Sequence, residues 1–275
     1  MNVTVIVSVY KDTEALELIL ESLFSQTYKN FDILISEDGE SKEMKDFMSK
    51  YVDYNNITHI SQVDDGWRKN IALNNAVRTA KGEYLIFLDG DILPYKTFIQ
   101  HHVNLAEKNR FLSGRRVELG PMFSKLIRKK ILPYRLVEKL YIFFYPFLAL
   151  DKGRHLEEGI YLKPGSKFEQ KVNSKKKKKM MLVGCNFSCW KKDLETINGF
   201  DEDYKSPSVG EDVDLSWRLN HFGVTYKSVR YIANTFHLYH TRSWGEAPEE
   251  NDKMMRTKIE QKLYRCKNGL IKEND

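Results

Sequence analysis

The stretch YLIFLDGDILP, residues 84–94, determines how the rest of the chain is interpreted. Five apolar residues predict a buried strand, and Asp89 and Asp91 follow it at once with only Gly90 between them. Two carboxylates this close together repel each other and are costly to remove from water. Hard divalent cations take carboxylate oxygens, and Mg²⁺ typically combines one or two carboxylates with substrate phosphates. A D-x-D sequence is common, but its position at the end of a buried strand indicates a cation site.

Strand and helix patterns alternate through the first 115 residues, and this alternation predicts a parallel α/β sheet. The two earliest strand segments are β-branched and almost wholly apolar, as strands covered on both faces are. In chain order the predicted elements are a strand at 3–9, a helix through 16–24, a strand at 31–36, a helix at about 41–51, a strand at 57–61, a helix at 68–81 that Gly82 ends, and the strand at 84–88.

Polar residues follow three of these predicted strands. They are Ser8 and Tyr10, then Glu37 and Asp38, then Asp89 and Asp91. Ligands of open α/β sheets bind beyond the carboxyl ends of the strands. The convergence of all three strand ends is a stronger indication of a ligand site than any single motif.

Residues 116–180 have a different character. Five apolar residues fall on one predicted helical face: Leu132, Leu136, Leu140, Phe143 and Phe147. The simpler interpretation is an insertion whose apolar face packs on the main domain. The alternative is peripheral membrane contact through residues 125–150, assisted by the basic cluster KLIRKK at 125–130. The lysine run at 175–179 predicts a solvated loop, and it lacks the interleaved aromatic residues of a nucleic-acid-binding segment.

Composition predicts an ordinary globular protein. The 275 residues are 41% hydrophobic and 30% charged, with a formal net charge of +6, which alone does not distinguish among polyphosphate, nucleic acid and anionic lipid as a partner. Three cysteines provide no disulfide framework, so buried, reduced thiols are expected. No signal-peptide pattern and no apolar run of transmembrane length occurs in the sequence. A cytoplasmic protein, peripheral to the inner face of a membrane if residues 125–150 contact lipid, is therefore expected.

Five ordered motifs resemble the nucleotide-sugar glycosyltransferases of family 2, which have the GT-A fold. They are VIVSVYKD, ISEDG, RKNIALNNA, GEYLIFLDGD and INGFDEDY followed by GEDVDLSWRL. The second half also resembles galactosyl- and N-acetylgalactosaminyltransferases, including chondroitin-polymerase-like enzymes. The resemblance implies one GT-A domain over residues 1–275. Its parts would be a nucleotide-binding half at 1–115, a helical and basic insertion at 116–180, an acceptor and catalytic half at 181–245, and a C-terminal helix within 246–275.

The same resemblance implies roles for individual residues. Nucleotide or diphosphate contacts are expected from Val7, Ser8, Tyr10, Asp38, Lys69, Asn70, Asp89 and Asp91. Lys69 stands where the family usually has arginine, so it keeps the charge but lacks the bidentate fork. Mn²⁺ or Mg²⁺ would be bound by Asp91, with Asp89 and with His240 as the preferred histidine and His237 in reserve.

Glu211 and Asp212 open a predicted amphipathic helix that Gly223 ends. The resemblance implies that Asp212 is the general base that takes a proton from the acceptor hydroxyl, and that Glu211 orients the acceptor. The alternative is plain helix capping, since acidic residues are stabilising near helix N-termini. The same effect is expected to stabilise the ionised form of Asp212 and to weaken it as a base.

The sequence therefore predicts an inverting, metal-dependent transferase. It would move a hexosyl or N-acetylhexosaminyl group from a nucleotide diphosphate sugar, UDP-linked, to a glycan or lipid-linked glycan in cell-surface polysaccharide synthesis. Two alternatives remain open. A nucleotidyltransferase would need a glycine-rich phosphate loop, which SVYKDTEA at 8–15 does not provide. A non-catalytic nucleotide-sugar-binding module would not need the intact acidic motifs.

Overall fold

The computed structural model describes residues 1–175, 182–207, 211–241 and 248–272. Most of the lysine run, residues 176–179, lies outside the described residues. The described strands are β1 (Val3–Val9), β2 (Phe31–Glu37), β3 (Ile57–Ser61), β4 (Tyr84–Asp89), β5 (Ile92–Pro94), β6 (Arg110–Ser113), β7 (Val117–Glu118), β8 (Asn186–Trp190), β9 (Thr225–Ser228) and β10 (Thr235–His237).

Helices surround these strands. The described α-helices are α1 (Thr13–Phe24), α2 (Lys42–Met48), α3 (Lys69–Thr79), α4 (Phe98–Leu105), α5 (Pro121–Arg128), α6 (Tyr134–Lys139), α7 (Tyr141–Leu150), α8 (Lys167–Lys175), α9 (Lys191–Thr196), α10 (Asp212–His221) and α11 (Pro248–Glu260). Short 3₁₀ turns occur at Ser49–Tyr51 and Leu156–Gly159. No helix in these described ranges is both long enough and apolar enough to cross a membrane.

A seven-stranded sheet in the order β3-β2-β1-β4-β8-β6-β9 forms the centre of the fold. The pairs β3–β2, β2–β1 and β1–β4 are parallel, whereas β8 runs antiparallel to both β4 and β6. Every residue of β1 is buried, because helices cover the sheet on both faces. The predicted α/β class is confirmed, with antiparallel pairs in the second half of the sheet.

A smaller three-stranded sheet, β5-β10-β7, explains how distant parts of the chain reach the end of β4. Strand β10 pairs antiparallel with β5, and His237 lies opposite Ile92. The Leu238 amide donates to the carbonyl of Asp91 at 2.9 Å. Backbone pairing therefore places the His237 segment directly beside the D-G-D turn.

Helix boundaries follow the local signals in most places. Asp12 accepts a hydrogen bond from the Ala15 amide and so caps the N-terminus of α1, and Gly223, at φ +77°, follows the end of α10 as predicted. The predicted end of α3 at Gly82 is wrong, because the helix stops at Thr79. Gly82 instead lies against β1, where an added Cβ would be 2.5 Å from the Thr4 amide nitrogen. The predicted C-terminal helix is present as α11, which ends at Glu260 and is therefore shorter than the segment 246–275 assigned to it.

The insertion packs on the main domain through a different face from the one predicted. The buried residues of α6 and α7 are Tyr134, Val137, Tyr141 and Leu148. Most of the predicted apolar face is exposed, namely Leu136, Leu140, Phe143 and Phe147, with Leu132 partly buried. The three cysteines, Cys185, Cys189 and Cys266, are buried and unpaired, as predicted.

Candidate active site

A cavity of about 590 Å³ opens at the carboxyl ends of β1, β2 and β4. It is lined by Ser8, Val9, Tyr10, Asp12, Asp38, Gly66, Trp67, Lys69, Asp89, Gly90, Asp91, Arg128 and His240. The predicted convergence of the three polar strand ends is therefore present, since Ser8, Asp38 and Asp91 all reach this cavity. Its position is the ligand crevice of an open α/β sheet.

Gly90 allows the D-G-D turn to lie against the end of β1. A Cβ added at this position would lie 2.8 Å from the Ser8 carbonyl oxygen and 3.0 Å from Val9 Cγ1. Carbon atoms do not approach backbone this closely without displacement. The glycine therefore sets how near the two aspartates lie to the rest of the cavity wall.

Asp91 lies between two histidines. The Nε2 atoms of His237 and His240 are each 3.2 Å from Asp91 Oδ2. The other carboxylate oxygen, Oδ1, is buried and has no hydrogen-bond partner among the described residues. Burial alone would raise the pKa of Asp91, but the two imidazoles lower it well below its usual value.

This group fits a divalent metal ion. The three ligand atoms of Asp91, His237 and His240 lie within 4.8 Å of one another. Carboxylate oxygen with imidazole nitrogen is a donor set that suits first-row transition metals. The unpartnered Asp91 Oδ1 is a buried acceptor that a cation would satisfy. His237, held in reserve by the sequence prediction, lies as close to Asp91 as the preferred His240 does.

Lys69 links the two acidic motifs. Its ammonium donates to Asp89 Oδ1 and to Glu211 Oε1, both at 2.6 Å. Burial lowers the pKa of Lys69, but the two carboxylates outweigh this and raise it, so the ammonium stays charged. Burial, with Asp89 and Asp212, raises the pKa of Glu211 to about 7, since the lowering by Lys69 offsets only part of that rise. A lysine without a guanidinium fork therefore still bridges two acids.

Asp212 is the first residue of α10, beside Glu211. Its carboxylate accepts from the Gly184 amide at 3.4 Å and from the Val213 amide at 2.8 Å. Burial nevertheless raises the pKa of Asp212 above its usual value, and these backbone donors offset only part of the rise. The expectation that the helix N-terminus would weaken Asp212 as a base is therefore wrong, because desolvation outweighs the helix end.

The other predicted site residues fall into two groups. Both carboxylate oxygens of Asp38 are occupied, by the Gln62 side chain at 2.8 Å and the Arg68 amide at 2.9 Å. Asp38 thus holds the loop that brings Trp67 to the cavity. Val7 and Asn70 are not among the described residues that line the cavity. Both are buried, and the side-chain amide of Asn70 donates to the Asp201 carbonyl at 2.7 Å. Their predicted nucleotide contacts stay predictions.

Arg128 is a cavity residue that the sequence reasoning did not single out. It ends α5, in the insertion, and its two terminal nitrogens donate to the two oxygens of Asp12 at 2.8 and 2.7 Å. The only signal in the sequence was the basic cluster at 125–130, which was connected with peripheral membrane contact. The fold brings a guanidinium from the insertion to the wall of the cavity, where the hydrogen bonds to Asp12 raise its pKa and Asp91 adds to that rise.

Comparison with known families agrees with this geometry. Residues 4–197 match the family description Glycosyl transferase family 2. The chain belongs to glycosyltransferase family 2. Residues 166–241 also match the N-terminal domain of galactosyltransferase, which confirms the second resemblance seen in the later motifs.

Curated relatives match the chain in part. Validoxylamine A glucosyltransferase of Streptomyces hygroscopicus subsp. jinggangensis is 25% identical over 252 residues, which are 90% of this chain and 56% of that protein. The Escherichia coli enzyme named UDP-Glc:alpha-D-GlcNAc-diphosphoundecaprenol beta-1,3-glucosyltransferase WfaP is 30% identical over 110 residues, 39% of this chain and 42% of that protein. The chain thus spans about half the length of these two relatives.

Solved structures share the fold at low sequence identity. GalNAc-T7 with UDP, GalNAc and Mn²⁺ superposes with a TM-score of 0.65 at 13% identity, over 94% of this chain and 48% of that one. Staphylococcus aureus TarS 1–349 with UDP-GlcNAc gives 0.58 at 14% identity, over 99% and 68%. A mannosyltransferase of Pyrobaculum calidifontis with GDP-Man and Mn²⁺ gives 0.57 at 16% identity, over 95% and 69%. The GT-A fold is therefore confirmed.

Proposed function

We propose that the protein is an inverting glycosyltransferase that moves a sugar from a UDP-linked donor to a hydroxyl group of a glycan or lipid-linked glycan. The observation that carries this proposal is the Asp91–His237–His240 group with its unpartnered, buried Asp91 Oδ1; Asp91 and His240 of this group line the cavity at the carboxyl ends of the sheet. A cation bound there would lie where a nucleotide diphosphate enters from the strand ends.

The donor would occupy the cavity with its diphosphate toward Asp91. The cavity volume of about 590 Å³ is within the usual range of small-molecule sites, roughly 300–1,000 Å³. Ser8 and Tyr10 would contact the nucleoside, and Arg128 would contact phosphate oxygens by charge-assisted hydrogen bonds. Solved structures of similar fold that contain UDP or UDP-GlcNAc support a uridine nucleotide, although the similar mannosyltransferase contains GDP-Man.

Asp91, His237 and His240 would hold the divalent ion, with Asp89 nearby. When bound, a divalent ion neutralises the negative charge that develops on the departing diphosphate. Imidazole ligands favour Mn²⁺ over Mg²⁺, which prefers oxygen ligands and retains its water. The Mn²⁺ complexes of two solved relatives agree with that preference.

Asp212 would accept the proton of the acceptor hydroxyl as that hydroxyl attacks the anomeric carbon from the side opposite the diphosphate. Burial raises its pKa, which makes it a better base than an exposed aspartate. Glu211 is held by Lys69 and is less free to take part in proton transfer. A one-step attack from the opposite side inverts the anomeric configuration, so an α-linked donor gives a β-linked product.

The acceptor class is supported by the Escherichia coli relative, whose name specifies an acceptor carrying diphosphoundecaprenol. An acceptor of that kind would assign the protein to cell-surface polysaccharide synthesis.

A nucleotidyltransferase would need a glycine-rich phosphate loop after the first strand. The connection between β1 and α1, residues 10–12, contains no glycine, which counts against this alternative.

The test is sugar transfer from a panel of UDP-sugars by the wild type and by Asp212→Asn. Loss of a general base lowers the rate by roughly 10²–10⁴-fold. Asp193→Asn is the matched control, because Asp193 is also in the first turn of a helix and burial also raises its pKa. Full transfer by Asp212→Asn would remove that residue from the mechanism. Absence of metal-dependent UDP binding in calorimetry would instead favour a non-catalytic module.

A further inference from the structure

Helices α6 and α7 present an apolar face to solvent. Five exposed residues recur at intervals of three or four and therefore share one side: Leu136, Leu140, Phe143, Phe147 and Leu150. Phe143 is 64% exposed and Leu150 82% exposed, far more than side chains of this size in a packed helix. The flanking Ile142 is 67% exposed. We call these six residues the docking face.

The docking face is continuous across the junction of the two helices. The Leu140 amide donates to the Leu136 carbonyl at 2.9 Å, and the Phe144 amide donates to the Leu140 carbonyl at 3.1 Å. The rings of Phe143 and Phe147 lie 5.7 Å apart, so they form one surface and not two isolated side chains. Contiguous exposed apolar surface of this kind marks an interaction site in a folded protein.

Positive charge is concentrated in the segment that carries this face. Residues 121–150 contain six lysine or arginine residues and one glutamate, a net charge of +5 out of +6 for the whole chain. Lys125 and Lys129 are exposed on the outer side of α5, which packs against α7 through the Phe123–Phe144 ring contact at 6.0 Å. Lys139 is exposed and lies one helical turn from Leu136 and from Phe143. None of these three lysines forms an ion pair with another described residue.

Exposed apolar side chains with exposed lysines on the same and the adjoining helix match an anionic lipid surface. The ten residues of α7 extend about 15 Å, half of the roughly 30 Å hydrocarbon thickness, so the helix would lie in the plane of the interface. A second copy of this chain fits less well, because association through the same face would bring the exposed Lys125, Lys129 and Lys139 of two copies together.

We infer that α5, α6 and α7 form a membrane-docking element. The docking face enters the interface of an anionic bilayer, and Lys125, Lys129 and Lys139 contact lipid phosphates. Arg128, on the same α5, reaches the donor cavity, so docking places that cavity beside the bilayer surface. The inference goes beyond sugar transfer and does not depend on it, since lipid binding needs neither a donor nor a metal ion.

The experiment is flotation of the whole chain with vesicles of phosphatidylcholine alone or mixed with phosphatidylglycerol. The wild type is expected to float with the mixed vesicles, to float less at high salt, and to stay in solution with phosphatidylcholine alone. Phe143→Asp with Leu150→Asp should lower vesicle partitioning at least about tenfold, because two anionic side chains replace exposed apolar ones. Val52→Asp with Ile271→Asp is the matched control, since those residues are 80% and 62% exposed elsewhere on the surface.

Binding of soluble UDP, measured on the same preparations, separates this inference from the proposed function. UDP binding should be the same in the wild type and in both double variants, and it also reports that each variant is folded. Wild type that remains in solution with anionic vesicles would overturn the inference, as would equal flotation of the Phe143→Asp, Leu150→Asp variant. A dimer in sedimentation that this variant dissociates, with no flotation, would assign the face to self-association.

Discussion

Replacement of Lys69 by methionine should destabilise the protein in a strongly pH-dependent way. In the wild type the Lys69 ammonium lies 2.6 Å from a carboxylate oxygen of Asp89 and of Glu211. The variant leaves these two acids without a cation between them. Loss of one partner of a fully buried ion pair costs about 3–5 kcal/mol. Here Glu211 can take a proton instead, because its pKa is already about 7.

The magnitude follows from this protonation. Glu211 has a usual pKa of 4.5, and in the variant its folded-state pKa rises above 7 because Lys69 no longer lowers it. Below pH ~7 both folded proteins hold the proton, so the stability difference is small, about 1 kcal/mol from the lost hydrogen bonds. Above pH ~7 the variant retains a proton that its unfolded state releases, and its stability relative to wild type falls by about 1.4 kcal/mol per pH unit. By pH ~9 the gap should widen by about 2–3 kcal/mol.

Urea denaturation followed by circular dichroism at about pH 6, 7, 8 and 9, without metal or nucleotide, measures this gap. The double variant Lys69→Met, Glu211→Gln is the control, because it has no titrating carboxyl group at position 211. Its stability difference from Glu211→Gln should stay nearly constant over the same range. A gap for Lys69→Met that does not change with pH would refute the reasoning, as would an equal slope in the double variant.

Three further predictions concern the cavity and the base. Arg128→Met should weaken UDP binding about tenfold in calorimetry and UMP binding little, because a charge-assisted hydrogen bond to the outer phosphate is lost. The control is Arg256→Met, which replaces an exposed arginine paired with Asp252. Equal loss of affinity for both nucleotides would contradict the assignment of Arg128 to the outer phosphate. Gly90→Ala should lower the free energy of unfolding by about 1–3 kcal/mol and weaken UDP binding, since the alanine Cβ would lie 2.8 Å from the Ser8 carbonyl oxygen. An unchanged midpoint of urea denaturation would contradict this packing. The transfer rate should fall as pH drops through the burial-raised pKa of Asp212, and an acid limb near the ordinary aspartate value of about 3.9 would exclude that assignment.

Local sequence patterns were sufficient for the four strands β1 to β4 of the central sheet and for half of the site. The apolar, β-branched runs that form β1, β2 and β4 predict strands because their period and composition are properties of the segment itself. The D-G-D turn follows from the same pattern, since it begins where the apolar run stops. Parallel strands bring their carboxyl ends to one edge, so Ser8, Asp38 and Asp91 could be expected in one cavity.

Contacts between distant segments could not be predicted in this way. His237 lies beside Asp91 because β10 pairs with β5, and no local pattern specifies that pairing. Arg128 reaches the cavity only because α5 folds back against α1, where the guanidinium contacts Asp12. The sequence also could not distinguish the two apolar faces of α6 and α7, since both contain large hydrophobic residues at helical spacing.

Asp212 shows most clearly which properties the sequence determines and which only the tertiary structure decides. Sequence position alone determines that it begins a helix, and the helix end alone would lower its pKa. The tertiary structure buries the carboxylate, and loss of hydration raises the pKa by more than the backbone amides lower it. The sequence by itself determined which residue types stand at the strand and helix ends. Only the tertiary structure decided their partners and their hydration, because both depend on segments that are far apart along the chain.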